Sequence, residues 1–212
     1  MTQLCLFPIP QCVTFPGTVF PLHVFEPRYR RMIAHCLETQ TPVAICHTKA
    51  LLSEGKAHDS VAQALNSDQA TYRPYDVVSA GQCELIERTD DGRMYLNVHI
   101  EQRYRIVREC QLLPYQVYEA EVFNDISPTD TEMQENQQLK EKIMHRLAAL
   151  AADMEGVQQL LTSPEWQHKD ASAFSFELFG LVRFDAELLQ HILEMPSAHQ
   201  RLQTTLELLN QA

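Results

Sequence analysis

Glycine is scarce in this chain, six among 212 residues, at positions 17, 55, 81, 92, 156 and 180. No two stand five apart with a lysine following, so the loop that cradles nucleotide phosphates is missing. HExxH and GxSxG are also missing, which removes the linear signatures of zinc proteases and of nucleophile-elbow hydrolases. The six cysteines contain no CxxC pair, and reduced thiols are expected. Neither His145 nor His191 has a second histidine or cysteine at i+3 or i+4, so no metal or other cofactor is expected. No apolar run reaches the roughly 20 residues that span a bilayer. The start, MTQLCLFPIPQC, lacks a basic segment followed by a continuous apolar core, so a cytoplasmic protein is expected. Positive charge is also in deficit. Seventeen Lys and Arg face 28 Asp and Glu, a formal charge of −11, and residues 126–212 hold only 6 basic against 13 acidic groups. Such a balance argues against nonspecific binding to nucleic acid or anionic lipid.

What is present is a 45% apolar chain long enough for one large domain or two small ones. Its most specific stretch is Phe15 to Ile33, FPGTVFPLHVFEPRYRRMI. Pro16-Gly17 predicts a turn with positive φ at the glycine. Val19 to Phe25 is β-prone, and Pro21, which cannot donate to a ladder, places that run at a sheet edge. Pro27 suits the first position of a helix. Behind it Tyr29, Met32, Ile33, Cys36 and Leu37 recur on one stripe, leaving Arg28, Arg30 and Arg31 to face away.

Further strands are predicted at Leu4–Ile9, Pro42–His47, Val77–Ile86, Met94–Ile100, Arg103–Glu109 and Gln116–Phe123, with a hairpin turn at Asp90-Asp91-Gly92. Cys46 and Cys83 lie in such runs and, like Cys36, read as small core residues. Lys49 to Pro74 reads as a long loop with one helical turn at Val61–Leu65. NDISPTD, residues 124–130, marks the change from period 2 to helical patterning. The expected division is 1–125, β-rich, and 126–212, a bundle of about four helices. Thr129 or Asp130 caps its first helix, whose stripe of Leu139, Ile143, Leu147, Leu150 and Met154 ends at Gly156. Asp170, Asp185 and Ser197 are further N-cap candidates.

The Phe15–Ile33 segment resembles the opening signature of the Lon protease N-terminal domain family, a strand and PG turn leading through a PLHIFEPRYR-like stretch into a helix. The resemblance continues through Asp91-Gly92-Arg93, Arg103-Tyr104-Arg105-Ile106, Pro114-Tyr115, Ala120-Glu121-Val122 and RLQTTLELLNQ, and so covers nearly the whole chain. Glu101 stands where many relatives have glycine, and Ser79-Ala80-Gly81-Gln82 replaces a Gly-Thr-Val-Ala-like run. The resemblance implies an α+β fold with an N-terminal, PUA-like pseudo-barrel and a C-terminal helical bundle. It also implies recognition of protein substrates, and peptidase S16-like kinship without the AAA+ and Ser-Lys protease domains. The expectation is therefore a non-catalytic module that binds an unfolded or a specific protein partner, with no membrane and no nucleic acid.

Phe20, Phe25, Arg28 and Arg31 flank the PG turn and are the candidate binding residues, as apolar and cationic contacts beside a sheet edge. The plainer reading makes both phenylalanines core and both arginines a solvated face. His23 and Glu26 could pair as acid and base, but a carboxylate at a helix start also suits the helix dipole. Cys36, beside His35, has the position of a core residue rather than a nucleophile. Two alternatives remain. Arg103 and Arg105 around Tyr104 could present a nucleic-acid face, or could pair with Glu101, Glu109 or the acidic bundle. A small hydrolase could assemble its site from residues distant in sequence.

Overall fold

The computed structural model describes residues 1–54 and 70–211. The strands are β1 Thr2–Pro8, β2 Val19–Val24, β3 Val43–Cys46, β4 Thr48–Ser53, β5 Thr71–Pro74, β6 Val77–Arg88, β7 Met94–Gln111 and β8 Val117–Val122. The described helices are α1 Pro27–Thr39, α2 Asp130–Leu150, α3 Glu155–Thr162, α4 Pro164–His168, α5 Ala171–Glu177, α6 Ala186–Glu194 and α7 Ala198–Gln211, with a 3-10 turn at Leu178–Gly180. The fold is α+β. Two compact units form, Met1–Phe123 with Asp185–Leu193, and Asn124–Phe184 with Glu194–Ala212. A linear division at 125/126 assigns Asp185–Leu193 to the bundle, whereas its contacts are with the first unit.

In the first unit the sheet order is β2-β7-β6-β3-β1-β8, and β8 also pairs with β7. Five strands thereby close into a barrel, and β2 lies outside along the first half of β7. Closure needs one long, bent strand. The sequence suggested two strands over 94–109; the structure has one, with a register shift where Ala80 faces Gln102 and Gly81 faces Ile100. Glu101 is the extra residue of this bulge, and a bulge bends the strand that carries it. Gly81 is required opposite it, because a Cβ there would lie 1.6 Å from the carbonyl oxygen of His99. β7 can therefore serve β2 with its first half and β8 with its second.

β1 and β3 are parallel neighbours with both faces buried, which explains their unbroken apolar runs. Leu4, Leu6, Ala44 and Cys46 join Val78, Ala80, Tyr104 and Tyr118 in one cluster. Cys5, Val43 and Ile45 point the other way, into the cluster that receives α1 through Tyr29, Met32, Ile33 and Cys36. Burying such side chains contributes about 1.5–3 kcal/mol each. Pro27 starts α1 and Gly17 has φ 83, as the sequence indicated. Gly92, φ 81, turns the β6–β7 hairpin, where Arg30 Nη1 donates to the Asp91 carbonyl at 2.9 Å. The ends of the expected 49–74 loop are not loop, since β4 and β5 pair into a small second sheet. The helical turn suggested at 61–65 lies outside the described residues. α6 is tied to this unit by Gln190 Nε2, which donates to the Val77 carbonyl at 3.0 Å.

The second unit departs from the expected four helices, because α4 and α5 are short elements with their own caps at Ser163 and Asp170. Thr129 and Glu132 form a reciprocal capping box at α2. α2 ends at Leu150, and Gly156 lies inside α3 rather than closing α2. Leu150 and Met154 are accordingly exposed, while Ile143 and Leu147 enter the core with Trp166, Phe174, Leu178 and Leu202. Asp185 and Ser197 accept from the backbone N–H groups of Leu188 and Gln200, as cap residues do. No described helix is long and apolar enough to cross a membrane.

Candidate functional site

Where β1 ends, β2 meets α1 and β5 begins, the first unit holds a cavity of about 350 Å³. Phe7, Ile9 and two prolines, Pro8 and Pro10, form one side, because the strand ends at Pro8 and Pro10 enters a turn closed by the Cys12 N–H on the Ile9 carbonyl at 3.1 Å. Leu22, Phe25 and Tyr29 form the opposite side, and Ala70 and Tyr72 close it. Phe7 and Tyr29 stack at 4.2 Å between ring centroids.

Two of the four candidate residues line this cavity. Phe25 is half-buried in its wall, between the end of β2 and the start of α1. Arg28 also lines it, but not as the exposed cation the sequence suggested. It is buried, because Nε bonds Glu26 at 3.0 Å, Nη1 bonds Thr71 Oγ1 at 3.1 Å, and Nη2 bonds the Ala70 carbonyl at 2.8 Å. Its guanidinium lies 4.6 Å from the Tyr29 ring centroid. Arg28 thus braces the start of α1 against the start of β5. Phe20 is on β2 but packs against the α1 core, and Arg31 is exposed on the outer face of α1. The structure does not bring these two to the cavity.

Glu26 is spent on Arg28, so the imagined pair with His23 does not form. His23 instead stacks on Tyr95, with centroids 4.4 Å apart and the ring planes nearly parallel, and the tilted Phe25 ring lies 5.8 Å from it. Phe25, His23 and Tyr95 make an aromatic ledge that continues from the cavity. The cavity's charged liners, Glu26 and Arg28, neutralise each other. The site has the chemistry to take an apolar side chain. Among the described residues of its lining, no nucleophile is hydrogen-bonded to a base.

The free edge of β2 is poorly suited to accept another strand. Pro21 stands mid-strand opposite Asn97 and supplies no N–H, a known protection of sheet edges. The arginine face suggested at 103–105 also fails to form. Arg103 is buried, donates from Nη1 to the Leu193 carbonyl at 2.6 Å and lies 4.4 Å from the Phe123 ring centroid. Arg105 is exposed over the same ring, and Arg108 makes a two-bond pair with Glu119.

The six cysteines are free thiols. Cys36 is buried beside Cys5, and that hydrogen-bonded neighbour together with burial pushes its pKa up, which opposes nucleophilic use. Burial raises the Cys12 thiol to about 11 and contributes most to raising Cys83 to about 12. Among the described residues no group of three or more His, Cys, Asp or Glu is placed to hold a metal.

Sequence reasoning missed the wall from Phe7 to Pro10, although Pro8-Ile9-Pro10 was a visible strand-ending signal. It could not find Ala70 and Tyr72, which reach the site only through the pairing of β5 with β4.

Comparison with known proteins gives a consistent family. The family model described as the ATP-dependent protease La (LON) substrate-binding domain matches residues 3–211. A crystal structure of a Lon N-terminal domain protein from Xanthomonas campestris has a TM-score of 0.61 at 20% identity, covering 98% of each chain. The N-terminal domain of Mycobacterium avium complex Lon protease has a TM-score of 0.70 at 13% identity, covering 99% of this chain and 98% of that one. No curated protein matches by sequence. With the family model spanning nearly its whole length, and the barrel and bundle having the fold of these two domains, the chain belongs to the Lon substrate-binding domain family.

Proposed function

We propose that this chain is a non-catalytic polypeptide-recognition module that takes an apolar side chain of its partner into the cavity beside Phe25. The observation that carries this reading is the 350 Å³ apolar cavity, with neutralised charges and an adjoining aromatic ledge, in a member of a substrate-binding family. Unfolded segments display apolar side chains that folded proteins hide, so a cavity of this kind discriminates between the two. Seating one Leu or Phe is worth about 1.5–3 kcal/mol. That is a modest affinity by itself, so the ledge and further contacts must contribute. A role as an adaptor in protein quality control follows if the captured chain is passed to a protease or chaperone.

The test is to incubate the chain with a reduced, unfolded model protein, with and without ATP, and to measure complex formation and peptide-bond cleavage. Binding independent of ATP and without cleavage is expected. Phe25→Ser should weaken binding roughly tenfold, the loss of about 1.4 kcal/mol of apolar contact, with an unchanged far-UV spectrum. Cleavage would overturn the non-catalytic reading. Unchanged binding by Phe25→Ser would remove the cavity from it.

A further inference from the structure

The second unit has its own cavity, of about 760 Å³, within the roughly 300–1,000 Å³ of small-molecule sites. One wall is a face of α2, where Asn136 and Lys140 lie one turn apart; the segment Asp125 to Pro128, the α4–α5 link and the start of α7 supply the rest. The carboxylates that line it are already engaged. Asp125 accepts from Arg201 and Ser172, Glu132 closes the capping box, and Asp170 caps the backbone N–H groups of Ser172 and Ala173. Lys169 is paired with Glu177 at 2.6 Å.

Lys140 is unlike these. Its side chain is 2% exposed, and Nζ donates to the carbonyls of Gln167 at 2.9 Å and Lys169 at 2.5 Å. An ammonium has three hydrogens, so one is left over. Among the described residues no carboxylate lies within ion-pair distance of it. Burial lowers the pKa of this ammonium, Asp170 and Glu141 offset that only from beyond contact distance, and an anion seated against Nζ would hold the charge.

Asn136, 3% exposed, supplies a second donor. Gln203 Nε2 lies 2.7 Å from His199 Nε2, and His199 Nδ1 lies 2.8 Å from Asn136 Oδ1. With the Gln203 amide placed so that its N–H faces the ring, His199 accepts at Nε2, which also lies 3.7 Å from Glu135 Oε2, and donates from Nδ1. Asn136 Oδ1 is thereby the acceptor, and Nδ2 has no hydrogen-bond acceptor among the described residues.

Two donors with hydrogens to spare, a buried ammonium and an amide nitrogen that keeps solvent contact, match an anion with two oxygens. We propose that the cavity binds a carboxylate carried by a polypeptide, one oxygen at Lys140 Nζ and the other at Asn136 Nδ2. A monoanion is favoured over a phosphate because a single buried cation serves the site and residues 126–212 hold 13 acidic against 6 basic groups. Met133 and Ile126, both exposed at the cavity, give the apolar surface that the residue bearing the carboxylate would contact. The ligand class rests on the polypeptide-recognition reading above. The site is separate from the Phe25 cavity.

Three fluorescein-labelled octapeptides distinguish the sources of the carboxylate, with anisotropy read on the full chain. One ends in leucine with a free carboxylate, one is its C-terminal amide, and one is amidated with aspartate next to last. The free acid should bind at least tenfold tighter than the plain amide, and Asn136→Asp, which sets a like charge against the ligand, should abolish that preference. Asn136→Leu, which adds no charge, should reduce it, and thermal melts confirm that both variants fold. If the aspartate peptide binds as tightly as the free acid, the carboxylate belongs to a side chain and the proposal stands. Equal binding of acid and plain amide, no binding at millimolar concentration, or an intact preference in both Asn136 variants would overturn it. Unfolded-protein binding that still depends on Phe25 would then leave the general reading standing.

Discussion

Removal of the Asp125 carboxylate tests the least replaceable interaction of the second unit. Arg201 is 0% exposed, and its Nη1 and Nη2 reach the two Asp125 oxygens at 2.8 and 2.5 Å. Taking away one member of a buried pair costs about 3–5 kcal/mol. Asp125 keeps 21% of its side-chain surface, and Arg201 retains Ser175 Oγ at 2.9 Å and the Phe176 ring at 3.8 Å, so the lower end applies. Asp125→Ala should therefore destabilise this unit by about 3 kcal/mol. Trp166, the single tryptophan of the chain, is buried in this unit against Phe174, so its fluorescence during urea unfolding reads the bundle selectively. Arg201→Met fills much of the same volume without the charge, and the double variant should be more stable than the sum of the single losses by about 2 kcal/mol or more. A loss below about 1 kcal/mol for Asp125→Ala, or strictly additive losses in the cycle, would refute the argument.

Two further expectations concern the first unit. Gly81→Ala should cost about 3 kcal/mol or prevent closure of the barrel, since the new methyl meets the backbone carbonyl of His99; an unchanged thermal midpoint by circular dichroism would show that the β7 bulge yields. Glu187 is held below its ordinary 4.5 by hydrogen bonds from Tyr75 Oη, at 2.5 Å, and from His47 Nε2, at 3.1 Å. A depressed carboxylate stabilises fully above its unfolded pKa and loses that contribution as pH falls through the folded one. Glu187→Gln should therefore flatten the fall in stability below about pH 4.5, and urea titrations between about pH 6 and pH 3 would show an identical slope if the reasoning fails.

The elements most legible in the sequence are those whose cause is local. Pro16-Gly17, Pro27 and the 29-32-33-36 stripe specify a turn, a helix start and a buried face between residues 16 and 36, and the structure has all three. The cap at Thr129, one of the two candidates, is equally local. The second half of the stripe along α2 was misjudged because Leu150 and Met154 keep the apolar type but lie at or beyond the helix end. Arg28 was misjudged for a different reason: its face of α1 is covered by Ala70 and Thr71, more than 40 residues away in sequence.

The sequence by itself determined the family resemblance, the α+β class, the edge placement of β2 and the lack of a phosphate loop, because each follows from residue type at short spacing. Closure of the barrel through β7, the return of α6 to the first unit and both cavities were decided only by tertiary structure. Periodicity states which face of an element is apolar. Which distant backbone comes to cover that face, and which donor is left without an acceptor when it does, depends on pairings that no local pattern encodes.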